Sequence, residues 1–346
     1  MTTPSSTIAL IASGRQRRLR RYKVVIAVLL AIIIGLFVLT VSLGQSYTPL
    51  GDVAHVLMGE KVAGASFTVG QLRLPRAMLS ILAGLSFGLG GVAFQTMLRN
   101  PLASPDIIGI TSGASAAAVF AIVVLAMKGQ LVSVLAMAAG LGVAMLVYAL
   151  SFRNGVAGTR LILVGIGVSA MLESVIAYVL STAPSWTLQE AMRWLTGSVN
   201  GAQLGQTLPL LLALIVFGGP LLSRARDLDA LRVGDDMAAA LGVRISATRM
   251  IVIVAAVGMI ASATAVTGPI AFVAFLSGPI AARIVGASGS LLIPSALVGA
   301  ILVLGGDYVG QFLLPSRYPV GVVTGALGAP YLIYLIIRVN RGGGSL

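Results

Sequence analysis

The chain has 346 residues, of which 58% are hydrophobic and only 10% charged, with a mean hydropathy of +1.02. A soluble domain averages roughly 45–50% apolar and about 25% charged, so this composition excludes a soluble globular protein and predicts an all-α polytopic membrane protein. There is no cysteine and one histidine, His55, which removes disulfides, thiolate nucleophiles and histidine-rich metal sites. A net charge of +13 would point to nucleic acid in a soluble protein. In a membrane protein it points instead to basic cytoplasmic loops.

Residues 1–23 are polar and end in a basic cluster (Arg15, Arg17, Arg18, Arg20, Arg21, Lys23). The apolar run Val24–Leu43 that follows is too long for the core of a cleaved signal sequence, and it predicts a first span with a cytoplasmic N-terminus. Nine more runs follow: Ala77–Leu98, Ile107–Met127, Leu131–Leu150, Leu161–Ser181, Thr207–Leu222, Met250–Thr267, Ile270–Val285, Leu291–Leu313 and Val320–Ile337. Only Gly268 and Pro269 separate the seventh from the eighth, and fusing them would turn the C-terminus outward. With ten alternating spans, 17 basic residues fall inside and 6 outside, as the positive-inside rule requires. The expected organisation is a cytoplasmic segment 1–23, a ten-span body 24–338 and a cytoplasmic tail 339–346.

Three connections exceed a turn: Gln45–Leu74 and Ala183–Gln206 outside, and Ser223–Thr248 inside. The second holds Trp186 and Trp194 around an amphipathic stretch, a pattern that marks the headgroup interface more often than a ligand stack. In the inside connection, Asp235 and Asp236 stand where a helix begins, with the favourable dipole sign. Met237–Leu241 is helix-forming, and Gly242 suits a C-cap. This short helix is either an inert connector or a docking helix for a soluble partner. Gly84/Gly88, Gly109/Gly113 and Gly321/Gly325 repeat at helical spacing, which serves close packing. Glu173 lies well inside the fifth span, where a carboxylate is costly and functional by default; it either faces a pathway or is paired between helices. Asp307 is nearer the outer end of its span. No triad, phosphate loop or carboxylate pair supports catalysis, and no cofactor is expected.

LRLPR (Leu72–Arg76), RNPLASPDIIGITSGA (Arg99–Ala114), GDDMAAALGV (Gly234–Val243), TGPIAFVAF (Thr267–Phe275) and YPVGVVTGALGAPYLIYLI (Tyr318–Ile336) occur in that order. Together they resemble the FecCD-type permease family, the membrane subunits of importers for ferric siderophores, haem and cobalamin. NPLASPDIIGITSGAS with FVAFLSGPIAARIVG resembles the ferric-siderophore branch, catecholate-type members in particular. The resemblance implies the ten-span type II importer architecture. It also implies a pair of permease subunits, identical or paralogous, two ABC ATPases beneath, and a periplasmic or lipoprotein substrate-binding protein above.

Carried over by motif, Gly234, Asp235, Asp236, Ala239, Leu241, Gly242 and Val243 would couple to the ATPase. Arg73 and Arg76 would meet acidic residues of the binding protein as exposed cations. Arg317, where many members carry Glu, adds a basic group beside them. Asn100, Leu102 and Thr159 would gate, with Pro101 and Pro105 stiffening the corner. Glu173 would line a pathway formed by the fifth and tenth spans. The family's Pro-His motif near the eighth span is absent; Gly278 and Pro279 stand there. The expected protein is a non-enzymatic permease subunit in the bacterial cytoplasmic membrane that translocates a ferric siderophore. The alternatives are a permease for haem or cobalamin, an ion-coupled secondary transporter, and a membrane scaffold.

Overall fold

The computed structural model describes residues 4–151, 158–286 and 289–341. Among them the backbone is almost wholly helical, because an apolar run in hydrocarbon satisfies its N–H and C=O groups only within its own helix. The helices are α1 (Pro4–Ser42), α2 (Leu50–Leu57), α3 (Leu74–Leu98), α4 (Ile110–Val123), α5 (Gln130–Ser151), α6 (Gly158–Ser181) and α7 (Ser185–Leu195). They continue as α8 (Leu204–Ser223), α9 (Ala225–Leu231), α10 (Asp235–Ala240), α11 (Ile245–Thr267), α12 (Val273–Val285), α13 (Leu292–Tyr308) and α14 (Val320–Arg341). Among the described residues, seven helices are long and apolar enough to cross a membrane: α1, α3 with the turns before it, α5, α6, α8, α11 and α13 with the turn after it. Three shorter apolar helices, α4, α12 and the apolar part of α14, accompany them. Each of these ten overlaps one of the ten predicted runs, and α1 starts earlier than its run, at Pro4 rather than Val24.

The seventh and eighth spans are separate helices. α11 stops at Thr267, and the backbone takes positive φ at Gly268 (70°) and Phe272 (64°), either side of Pro269. A Cβ at Gly268 would collide with the Trp194 carbonyl, so the turn is fixed by contact with the end of α7. Two connections hold more structure than the sequence predicted. A π-helical segment, Ser66–Arg73, runs directly into α3, whose Pro75 sits in the first turn, where its missing N–H costs nothing. The inside connection holds two short helices, α9 and α10, rather than one.

The most buried 18-residue stretches of α3, α11 and α13 are 83%, 78% and 67% inside the protein, against 11% for α6 and 17% for α8. The centre of the bundle is therefore α3, α11 and α13, with α12 closing one side. Glycine makes this packing possible. Gly84 and Gly88 of α3 lie against Gly299, Ala300 and Ser295 of α13, and a Cβ at Gly84 would stand 2.5 Å from the Ala300 Cα. Gly91 meets the backbone of Ala274 in α12, and Gly113 faces Val143 of α5. Backbones that approach this closely gain dispersion contacts that lipid does not offer. Met171 and Tyr178 of α6 and Ile215 and Val216 of α8 point outward, as suits helices solvated by lipid.

α3 sets the scale of the site. Its 25 residues span about 37 Å at 1.5 Å per residue. It carries Arg76 at one end and leads into Arg99 at the other; these ends are called outer and inner after the predicted orientation.

Candidate functional site

At the outer end the structure turns both LRLPR arginines inward, contrary to the exposed cations expected from the motif. Arg73 is only 7% exposed. Its guanidinium donates to the carbonyls of Val41 and Ser42 at 3.0 Å each and of Ser46 at 2.7 Å, and to the Thr48 hydroxyl at 3.3 Å. Arg73 thus closes the connection after α1. Gly44 leaves it room, because a Cβ there would lie 2.7 Å from Arg73 Nη2. Arg76 donates from Nε to Asp307 Oδ2 at 2.5 Å and from Nη2 to Asp307 Oδ1 at 2.6 Å. This is a two-pronged pair that bolts α3 to α13, with the Asp307 side chain 1% exposed. The physical cause is the same for both. A guanidinium at the end of an apolar run is cheaper to bury against carbonyls or a carboxylate than to leave unpaired in a low dielectric. Arg317 is exposed.

At the inner end α3 stops at Arg99, which takes the left-handed conformation (φ 53°). Asn100 precedes Pro101, a position that disfavours helix, and its Oδ1 accepts from the Leu102 N–H at 2.9 Å. Gln95, buried in the last turns of α3, donates to the carbonyls of Pro101 at 2.9 Å and Phe275 at 3.0 Å. One amide therefore ties the corner to α12. No sequence motif singles out Gln95; its only signal is a lone amide in the apolar run Gly90–Leu98. Leu102 packs in a cluster with Phe275 and Leu276 of α12 and Leu335 of α14, which puts the predicted gate residue against the tenth span. Beyond Pro105, the Asp106 carboxylate accepts from the hydroxyls of Ser104 (2.9 Å) and Thr111. Asp106 lines a cavity of about 370 Å³ with Phe87, Thr264, Phe272 and Phe275.

The inside connection lies against this corner. Asp235, opening α10, accepts from Arg249 Nη2 at 2.8 and 3.0 Å and stands 3.5 Å from Arg99 Nη2. Asp227 of α9 accepts from Arg224 at 3.1 Å and from the Thr248 hydroxyl at 3.2 Å, which ties the start of the connection to α11. On α10 only Ala238 is buried. Val233, Met237 and Leu241 are 69%, 53% and 67% exposed, and Asp236, Ala239 and Gly242 are exposed beside them. Gly242 has φ 84°, the left-handed value a helix terminator needs. Burial holds the Asp229 carboxyl above the ordinary carboxylate range, partly offset by Arg232.

The remaining predicted residues are dispersed. Thr159 lies in the first turn of α6, but its side chain is outside the described residues. Glu173 is exposed on α6, on a face shared with Gly167, Ala170, Ser174 and Ala177; the alternative of a carboxylate buried between helices of one chain does not hold.

The description "FecCD transport family" fits residues 29–338. The chain belongs to this family. Among relatives, the ferric enterobactin transport system permease protein FepG of Escherichia coli (strain K12) is 38% identical over 84% of this chain and 88% of its own. The achromobactin transport system permease protein CbrC of Dickeya dadantii (strain 3937) is 38% identical over 94% of this chain and 95% of its own. A metal-chelate type ABC transporter solved in an inward-facing conformation superposes with a TM-score of 0.82 at 26% identity, covering 92% of this chain and all of the other. Family membership and the apolar helices together make the chain a multi-pass transport permease.

Proposed function

We propose that the chain is the membrane-spanning permease subunit of an ATP-driven importer that carries a ferric siderophore across the cytoplasmic membrane. Its partners are a second permease subunit, a pair of ABC ATPases at the inner end and a substrate-binding protein at the outer end. The observation that carries the reading is α10. It is a short helix on the end predicted to be cytoplasmic, and it presents Val233, Met237 and Leu241 to solvent while its Asp235 is tied to the core by arginines. Apolar side chains this exposed in a charged loop fit the groove of a soluble partner. Family relatives that act on ferric enterobactin and achromobactin support the substrate class.

The outer surface divides its roles. Arg317 meets the binding protein, while Arg73 and Arg76 hold the backbone that presents it. In the membrane, α6 turns Glu173 toward the pathway between subunits, since an unpaired carboxylate facing acyl chains is too costly. Thr159 and the Asn100–Leu102 corner narrow the inner mouth. The chain itself hydrolyses nothing.

The test is uptake of a radiolabelled ferric catecholate siderophore into proteoliposomes holding the permease, its ATPase and its binding protein. Uptake that requires ATP and all three components is expected. Uptake driven by an ion gradient with the permease alone would overturn the reading in favour of a secondary transporter.

A further inference from the structure

The Asp235 carboxylate is shared by two arginines from different core helices, and this arrangement does more than anchor a loop. Arg249 lies in the first turns of α11, and Arg99 ends α3. Of the seven long apolar helices among the described residues, these two have the most buried stretches. A displacement of α10 therefore acts on one core helix through Arg249 and on the other through Arg99.

Two backbone features show that the Arg99 contact is built. Arg99 holds φ 53°, a conformation where glycine or asparagine is the usual occupant and a side chain with a Cβ is disfavoured. Facing it, Gly234 has φ 124°, and a Cβ there would come within 3.6 Å of Arg99 Nη1. The chain thus passes beside the guanidinium just before α10 begins. From Arg99 the path is short. Asn100 caps the corner, Gln95 fastens Pro101 to Phe275, and Leu102 packs against the cluster that holds Phe275 and Leu335.

We propose that Arg99 is a positioning residue for transport: its ion pair with Asp235 transmits movement of the ATPase-bound α10 to the Asn100–Pro105 corner and so to Leu102. This rests on the importer reading above. Arg249 holds the carboxylate in register, and the 3.5 Å separation at Arg99 against 2.8 Å at Arg249 makes Arg99 the side that opens and closes. Loss of the pair then uncouples ATP hydrolysis from import without detaching the ATPase, because the apolar face of α10 is untouched.

The absence of cysteine from this chain permits a chemical test in the reconstituted complex with cysteine-free partners. Arg99→Cys should assemble with the ATPase and hydrolyse ATP at near wild-type rate. It should import about tenfold less siderophore per ATP, within the range one link of a coupling network contributes. Labelling with a cationic aminoethyl methanethiosulfonate should restore import per ATP, and a neutral reagent of similar size should not. Wild-type import per ATP in the unlabelled variant, or equal rescue by the neutral reagent, would overturn the proposal. If Arg99→Cys fails to assemble, Arg99→Gln, which keeps a polar side chain without the charge, carries the same test, with import per ATP expected to fall as in the unlabelled cysteine variant. Failure of both to assemble would assign the pair to folding and reject the coupling role. A wild-type complex without ATP-dependent uptake would instead defeat the importer reading.

Discussion

Removing the Asp307 carboxylate should be among the most damaging single changes in the bundle. The side chain is 1% exposed and its partner Arg76 16%, so Asp307→Ala strands a largely desolvated guanidinium without its carboxylate. Breaking a buried pair by deleting one partner costs about 3–5 kcal/mol, because the surviving charge stays desolvated. With about 2.1 cal/mol/K of unfolding entropy per residue and 346 residues, that corresponds to a drop in Tm of about 4–7 °C. The two contacts at 2.5 and 2.6 Å hold α3 and α13 together near their outer ends. The same two helices meet through Gly84, Gly88 and Gly299, so the loss should be felt along the seam.

The assay is thermal unfolding of the detergent-purified chain, followed by tryptophan fluorescence and by size-exclusion recovery after heating. The double variant Arg76→Met/Asp307→Leu separates charge from packing. An apolar pair of similar volume leaves no stranded ion, so it should recover most of the lost stability. The reasoning is refuted if Asp307→Ala melts with the wild type. It is equally refuted if the double variant is less stable than the single one.

Other expectations follow from the same geometry. Gly84→Ala should lower stability by about 1–3 kcal/mol, the range for overpacking, because the added methyl meets the α13 backbone; a Tm within error of wild type would contradict the close contact. Met237→Ser with Leu241→Ser should abolish co-purification of the ATPase while leaving the Tm of the isolated permease unchanged. Asp229→Asn tests a titration: the folded carboxyl sits above its unfolded pKa, so its contribution is fully present below the unfolded value and is lost as pH rises through the folded one. The variant should therefore gain stability relative to wild type at neutral pH and lose that advantage in acid, measured as Tm against pH. Glu173→Gln should leave stability within about 0.5 kcal/mol of wild type, as for an exposed site, yet change siderophore uptake; unchanged uptake would remove Glu173 from the pathway.

The ten apolar helices were legible because hydrocarbon imposes one backbone solution on each run, and most of their ends fell within a few residues of those read from hydropathy. By contrast, α1 begins at Pro4, well before the apolar run at Val24, because a polar, basic stretch can be helical too. Leu131–Leu150 and Gln130–Ser151 differ by a residue at each end. What hydropathy does not encode is which runs lie at the centre. α3 and α6 have similar hydropathy, 1.9 and 2.0, yet 83% of one window is buried and 11% of the other. The distinction lay in the spacing of Gly84, Gly88 and Gly91, a pattern that α6 lacks. The LRLPR arginines were legible as important but not as buried. Their partners lie 25 to 32 residues away for Arg73 and 231 residues away for Arg76, beyond any local pattern. A base just before the second span and an acid in the ninth, each near the same end, was the available signal.

The inner end shows why charge in such a protein is worth tracing by partner rather than by count. Counting basic residues orients the chain, yet it treats Arg99, Arg224 and Arg249 alike. The structure gives each a different carboxylate relation. Arg224 pairs within three residues of itself with Asp227 and stiffens the connection. Arg249 meets Asp235 across 14 residues and seats α10 on α11. Arg99 reaches the same carboxylate from α3. A half-exposed pair of this kind adds little stability, about 0–1 kcal/mol, so its value is geometric. One carboxylate that bridges two core helices makes the position of α10 depend on both. If an ATPase moves α10, α3 and α11 cannot respond independently, and the Asn100–Pro105 corner that follows α3 is where the difference must appear.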